Sequence, residues 1–235
     1  MASFFDFNNN FGPVEEESEL IPLMTSDDEE AILKESLPES VPILPLRNAV
    51  LFPGVVIPIS ATRDKSVKLI KNANSNNKLI GVVSQKDSNV SDPTINDVNK
   101  IGTVAKILRV LQMPDGNLTI IIQGKKRFSI DKLISETPFI TSSINELKEI
   151  SPKKDNKTFQ ATIDSIKDLA LKIIDENPNI PTEASFAIKN IHSNSFLVNF
   201  VSSNMNISVE EKFKILCIDD LQKRALRCLK FMDVE

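Results

Sequence analysis

The sequence predicts an α+β protein built as a β-rich unit with one helix, followed by an α-helical bundle. Two features of the 235 residues carry that expectation. From residue 41 to about 150 the apolar residues come in short runs broken by proline, glycine and asparagine, the punctuation of strands and turns. Beyond residue 154 they recur every three or four positions, the period of a helix with one buried face. A third feature separates a leader from both. Residues 1–40 hold eleven acidic side chains against one lysine, whereas the remainder carries 21 acidic and 27 basic.

The leader contains Glu15-Glu16-Glu17 and Asp27-Asp28-Glu29-Glu30 and shows no sustained period. Such a composition cannot bury enough apolar surface to offset the entropy of ordering, so residues 1–40 are expected to be disordered. A short helix around residues 29–37 is compatible with the pattern. Two roles are open to the leader: a solvated tail, or an acidic segment that contacts the basic body.

The β-rich unit, residues 41–150, opens with Val41-Pro42-Ile43-Leu44-Pro45-Leu46 and Val50-Leu51-Phe52. Pro53-Gly54 marks a turn before Val55-Val56-Ile57-Pro58-Ile59, and prolines inside these runs place them at sheet edges or bends. Thr62 is the expected N-cap of a helix whose first turn holds Asp64. On that helix Val67, Ile70 and Ala73 face inward, with Lys65, Lys68 and Lys71 towards solvent. Residues 79–85 form the next strand and residues 88–99 a polar loop. Residues 101–113 and 118–123 read as a hairpin turning at Pro114-Asp115-Gly116-Asn117. Runs at 128–134 and 139–147 complete the unit.

Residues 151–154, Ser151-Pro152-Lys153-Lys154, form the linker, and residues 155–235 the bundle. Its first helix places Phe159, Ile163, Ile166, Ala170 and Ile173 on one stripe and stops at Asn177-Pro178. Helices follow at 182–191 and 195–203, then one opened by the capping box Ser208-Val209-Glu210-Glu211. The last starts near Asp219, with Leu221, Ala225, Leu229 and Met232 on its stripe. With no Gly or Pro to stop it before Glu235, this helix is expected to continue in a longer parent chain.

Motifs for catalysis, nucleotides and metals are missing from this sequence. Gly124-Lys125 lacks the upstream glycine of a phosphate loop, and no nucleophile elbow is present. One histidine, His192, sits among Asn190, Ser193 and Asn194, where a surface or capping role is expected. His192 with Cys217 and Cys228 cannot supply a structural zinc site. On one continuous helix the two cysteines share a face yet lie ~16 Å apart, too far for a disulfide. Two cysteines and no secretory signal fit a reducing, cytoplasmic setting. No run is long and apolar enough to span a membrane. The basic clusters Lys125-Lys126-Arg127 with Lys132, and Lys153-Lys154 with Lys157, are the candidate phosphate contacts. Without Tyr or Trp to stack bases, nucleic acid is not the expected partner. A β-rich unit can still accept an extended chain by strand addition.

The ordered motifs say more. Pro42-Ile43-Leu44-Pro45-Leu46-Arg47-Asn48, Leu51-Phe52-Pro53-Gly54 and Ile57-Pro58-Ile59 closely resemble the opening of the N-terminal domain of ATP-dependent Lon proteases. The likeness runs on through Arg63-Asp64-Lys65-Ser66 and Val83-Ser84-Gln85-Lys86. It continues in Ile101-Gly102-Thr103-Val104-Ala105-Lys106-Ile107, Leu111-Gln112-Met113-Pro114-Asp115-Gly116 and Gln123-Gly124-Lys125-Lys126-Arg127, and reaches Val209-Glu210-Glu211-Lys212 in the helical part. Asn48, Thr62 and Gln123 depart from the usual Asp, Gly and Glu.

This resemblance implies a PUA-like β-domain followed by a helical bundle. It also implies recognition of unfolded, damaged or degron-tagged proteins for a homohexameric, ATP-dependent serine protease. The motor that takes ATP and Mg, and the Ser–Lys peptidase, are expected outside this chain, which would bind substrates without cutting them. A stand-alone adaptor of the same family, with no enzyme attached, is the alternative. Asp64, Lys65 and Lys68 are candidate substrate-contacting residues on the helix face, with plain solvation as their other role. Phe52, Val55 and Ile57 line an apolar groove in one reading and pack in the core in the other. Gly54, Gly102 and Gly116 are expected to serve backbone geometry.

Overall fold

The computed structural model describes residues 31–233, apart from 33, 114–116, 154, 178–179 and 181. The acidic leader as far as residue 30, the helix stop at Pro178 and the turn with its Gly116 therefore lie outside the described residues. Two compact units emerge, one spanning Ala31–Leu147 and the other containing Lys148–Glu235.

The first unit is a six-stranded sheet rolled until it closes. Its strands are β1 (Ser40–Leu46), β2 (Val56–Ala61), β3 (Leu79–Ser84), β4 (Ile101–Gln112), β5 (Leu118–Ser135) and β6 (Thr141–Glu146). Their order is β2-β5-β4-β3-β1-β6, and β6 pairs again with β5. That last pairing makes a closed ring of β1, β3, β4, β5 and β6, with β2 as an extension on the first half of β5. The two sequence runs at 118–123 and 128–134 are one strand of 18 residues, β5. Its first half takes β2 as neighbour and its second half takes β6. β1 and β3 run parallel, so the chain crosses over between them through β2 and helix α1 (Asp64–Ser75).

Closure buries alternate side chains on the inner face. Val41, Ile43, Val83, Val98, Val104, Phe128, Ile140 and Ile144 form one such cluster. At roughly 25 cal/mol per Å² of apolar surface, each fully buried aliphatic or aromatic side chain contributes on the order of 2 kcal/mol. Part of the segment assigned by sequence to the leader joins this unit. Ile32 is buried, and Leu37 packs against the same cluster. The charge run concealed this, because the apolar residues of the segment stand among acidic and polar ones.

Two motifs of the resemblance meet in the backbone. Gly54 has φ 81°, a conformation that L side chains rarely adopt. Its N–H donates to Gly124 O, and Gly124 N–H donates to Val55 O, both at 2.9 Å. Phe52 O closes in on Gly124 so tightly that a Cβ there would stand 2.3 Å away. Thr103 Oγ1 donates to Leu51 O at 2.6 Å and fixes the preceding residue. Residues 50–52, expected as a strand, are thus buried non-strand backbone bound to β4 and β5.

α1 packs against β1, β3 and β4 through Leu69, Ile70 and Ala73, with Ser66 also buried. Its N-cap is Arg63, not Thr62, and no side chain caps it. Val67 is only half-buried, one position away from the inward face.

The second unit contains α2 (Lys157–Glu176), α3 (Thr182–Asn190), α4 (Asn194–Asn204), α5 (Val209–Leu216) and α6 (Leu221–Met232). Asn156, Ser193, Ser208 and Asp220 cap α2, α4, α5 and α6 by accepting from the N–H three residues on. Each such cap stabilises its helix by about 1 kcal/mol. α4 is the central helix: every residue from Phe196 to Asn204 is buried. α2 packs on α3, α4 and α6. The buried stripe of α2 ends on Ile174 rather than Ile173, a step of four after Ala170. Cys217 caps the end of α5 and Cys228 lies within α6, so the single helix expected to hold both is broken between them.

α6 buries Arg224 together with Leu221, Ala225, Cys228 and Met232. The Arg224 guanidinium is 1% exposed and donates to Glu149 Oε2 at 2.8 Å, Asn199 Oδ1 at 3.2 Å and Ile218 O at 2.6 and 3.0 Å. Ser195 Oγ donates to the same Glu149 oxygen at 2.9 Å. A buried charge is tolerated only when paired and hydrogen-bonded, and this one is. The latch ties the start of the unit to α4 and α6.

Candidate functional site

Asp64, Lys65 and Lys68 stand at the N-terminal end of α1. Asp64 and Lys68 are exposed, and Lys65 Nζ reaches Asp92 Oδ2 at 2.7 Å. The loop carrying Asp92 is held by neighbouring side chains. Arg63 Nη2 donates to Gln85 Oε1 at 2.6 Å, and Gln85 Nε2 donates to Asp87 O and Val90 O. Partial burial holds the Arg63 guanidinium below its ordinary pKa, Arg47 adds to that by repulsion, and Asp92 opposes it.

Between the α1 end, this loop and residues 139–140 lies a shallow open cleft with a free volume of only about 20 Å³. Ile43, Leu69 and Ile140 form its floor, Pro45, Pro93 and Phe139 its walls, and Arg63, Lys65 and Asp92 its charged rim. An apolar floor with a polar rim suits an apolar side chain whose backbone stays in water. Of the predicted residues, Lys65 lines this cleft, with Asp64 and Lys68 on the same helix end.

Phe52, Val55 and Ile57 fall elsewhere. They are 0, 3 and 4% exposed and fill the interior beside Gly124, so no groove opens on them. The close approach of their backbone to β5 turns these side chains inwards. His192 is exposed in the turn between α3 and α4. The lysines of the Lys125-Lys126-Arg127 cluster are engaged within the unit, Lys125 with Glu35 at 3.6 Å and Lys126 with Glu146 at 3.0 Å, while Arg127 is buried.

A second apolar surface was not singled out by the sequence. Leu108, Leu111 and Met113 are 42–44% exposed on the outer half of β4, where the β4–β5 hairpin projects beyond the end of β3. Simple alternation from Ile101 assigns sides wrongly here, because the ladder slips between Ile107 and Arg109. Across the ladder, Leu111 faces Thr119 and Arg109 faces Ile121, which in turn faces Pro58 of β2. The outer face of the hairpin is therefore more apolar than an ordinary solvated sheet face.

Comparison with known proteins defines the class. Residues 40–234 match the family model of the ATP-dependent protease La (LON) substrate-binding domain. The fold agrees: the N-terminal domain of Mycobacterium avium complex Lon protease superposes with a TM-score of 0.68 at 18% identity, covering 83% of this chain and 99% of that one. The Lon N-terminal domain protein from Xanthomonas campestris superposes at 0.56 with 14% identity, covering 82 and 98%.

This chain belongs to the Lon substrate-binding domain family. Lon protease of Flavobacterium johnsoniae is 62% identical over 93% of the chain, and that of Cytophaga hutchinsonii 46% identical over 92%. The chain spans 27 and 26% of the length of those two relatives, about a quarter. Among the described residues no helix is long and apolar enough to cross a membrane.

Proposed function

We propose that this chain captures unfolded, damaged or degron-tagged proteins in the cytoplasm for a Lon-type, ATP-dependent serine protease. The observation that carries the reading is apolar surface offered to solvent on the outer face of the β4–β5 hairpin, where Leu108, Leu111 and Met113 are exposed. A folded protein hides its apolar side chains; an unfolded one presents them on an extended backbone. Selectivity for the unfolded state follows from that difference alone.

Each copy holds such a segment weakly, and a homohexamer of the whole protein gathers six copies on one ring. The second and later contacts then become intramolecular, which raises avidity by a factor of ~10²–10⁴ without any new contact type. ATP and Mg²⁺ serve the motor segment of the whole protein, and cleavage its peptidase, so this chain contributes binding alone.

The test is a binding titration of this chain with one protein in two states, native and permanently unfolded by reduction and carboxymethylation. At least about tenfold tighter binding of the unfolded form is expected. Equal binding of both states, or of neither, would overturn the reading.

A further inference from the structure

β4 leaves β3 before it ends. The β3–β4 pairing runs from Val82↔Thr103 to Leu79↔Lys106, and Ile107 N–H donates to Lys78 O at 2.8 Å as the last contact on that side. The strand then continues to Gln112 with only β5 beside it. Met113 N–H donates to Asn117 O at 2.9 Å, which sets the phase of the outer ladder. Hydrogen-bonded pairs alternate in an antiparallel ladder, so Arg109 and Leu111 direct their backbone groups at β5. Val110 and Gln112 direct theirs outward, and neither has a backbone partner there among the described residues.

The edge of β2, the strand outside the closed ring, is blunted by Pro58, which lacks a backbone donor. The outer half of β4 has no proline, and it pairs its open edge with exposed Leu108, Leu111 and Met113. An edge of this kind is a template for another strand.

We infer that the β4 edge at Val110 and Gln112 is a strand-addition site for an extended apolar segment of an unfolded client, preferably one flanked by carboxylates. This rests on the function proposed above and names where and how the client is held. Client N–H and C=O groups pair with those of Val110 and Gln112, and alternate client side chains lie beside Leu111 and Met113. The preference for acidic flanks comes from Lys78 and Lys106, exposed neighbours where the edge opens, neither in an ion pair among the described residues. The same lysines argue against a second copy as occupant, because two such edges brought together carry like charge to like charge.

The probe is an eleven-residue peptide of alternating valine and phenylalanine with two aspartates at each end, titrated into the whole 235-residue chain. Its twin carries N-methyl groups at every second residue of the core, which removes the donors of one edge while keeping the side chains. Two twins, methylated in opposite phase, cover both edges. The unmodified peptide is expected to bind, one methylated twin to bind about tenfold more weakly, and the other to bind like the parent, the loss expected from about two hydrogen bonds. Val110→Pro should weaken the unmodified peptide by a similar factor. If that variant does not fold, the methylated pair still decides.

Equal binding of all three peptides would mean that side chains alone are recognised, and would overturn strand addition while leaving unfolded-client binding intact. Concentration-dependent dimerisation abolished by Val110→Asp would assign the edge to a second copy and overturn the client reading of it. Failure of the chain to bind the permanently unfolded protein at all would instead remove the proposed function itself.

Discussion

A single methyl group at Gly124 should undo the junction between β2, β5 and residues 50–55. The Cβ of Gly124→Ala would stand 2.3 Å from Phe52 O, 3.1 Å from Phe52 C and 3.2 Å from Thr103 Cγ2. Ordinary van der Waals contact begins near 3.4 Å, so the backbone at Phe52 must retreat by about 1 Å. That movement pulls on the two hydrogen bonds linking Gly124 with Gly54 and Val55, and on the bond from Thr103 to Leu51 O. Overpacking of this sort costs about 1–3 kcal/mol, and each weakened bond adds up to about 1 kcal/mol. Against it stands a gain of about 0.4–1 kcal/mol from the stiffer unfolded chain. The balance is a loss of about 3 kcal/mol, or a fall in Tm of roughly 10–15 °C for a unit of this size. Thermal unfolding by far-UV circular dichroism reads the shift. Hydrogen exchange of peptides from β2 and β5 then assigns it to the first unit. Lys71→Ala, on the solvent side of α1, serves as the control and should move Tm by less than about 2 °C. A Gly124→Ala protein that melts as the control does would show that Phe52 O does not sit against β5.

Three further outcomes are expected. Arg224→Met should destabilise the helical unit by about 2–4 kcal/mol in urea unfolding, because Asn199, Ile218 O and Glu149 each lose the guanidinium as a donor, and Arg224→Lys should recover part of this. A loss under about 0.5 kcal/mol would show the latch to be inert. Burial pushes the Cys228 thiol up to about 12, with neighbouring Ser202 opposing. A thiol reagent at pH 8 should therefore modify Cys217 in the native chain and Cys228 only after unfolding. A folded pKa raised above the unfolded one gives stability complete below the ordinary thiol range of ~8.5, and lost as pH climbs towards 12. The denaturation midpoint should accordingly fall across that window in the parent and less steeply in Cys228→Ala. Lys65→Ala should leave stability within about 0.5 kcal/mol, since its bridge to Asp92 is solvent-exposed on both sides. A larger loss of stability would mean that the bridge is structural.

Local pattern made much of the fold readable, and distance in sequence hid the rest. Period and caps placed α2, α4 and α5 closely, and short apolar runs between turn residues placed β1, β3 and β4. Closure was invisible, since nothing in Thr141–Glu146 reports that it pairs with both β1 and β5. Arg224 gives no local signal of its burial, because its acceptors Glu149, Asn199 and Ile218 O lie elsewhere in the chain. Phe52, Val55 and Ile57 carry the composition of a groove and of a core alike, and only the contact with Gly124 distinguishes them. In the candidate surfaces Lys65 was legible as an exposed helix residue. Leu108, Leu111 and Met113 were not, because a slip of one residue in the ladder decides which side of the sheet they face.

Closure by β6 also dictates the order of events during synthesis. β1 cannot complete its pairing until Thr141–Ser143 exist, ~100 residues later, whereas the contacts within each helix of the second unit lie a few residues apart. Until then Val41, whose ladder neighbour is Ser142, and the Ile43 N–H, which donates to Ile140 O, wait without those partners. A protein whose proposed task is to seize exposed apolar strands is thus, for the whole time its barrel is open, an example of what it binds. Nascent chains should be most prone to aggregate when translation pauses between β5 and β6, and a stall placed after Glu146 should relieve it.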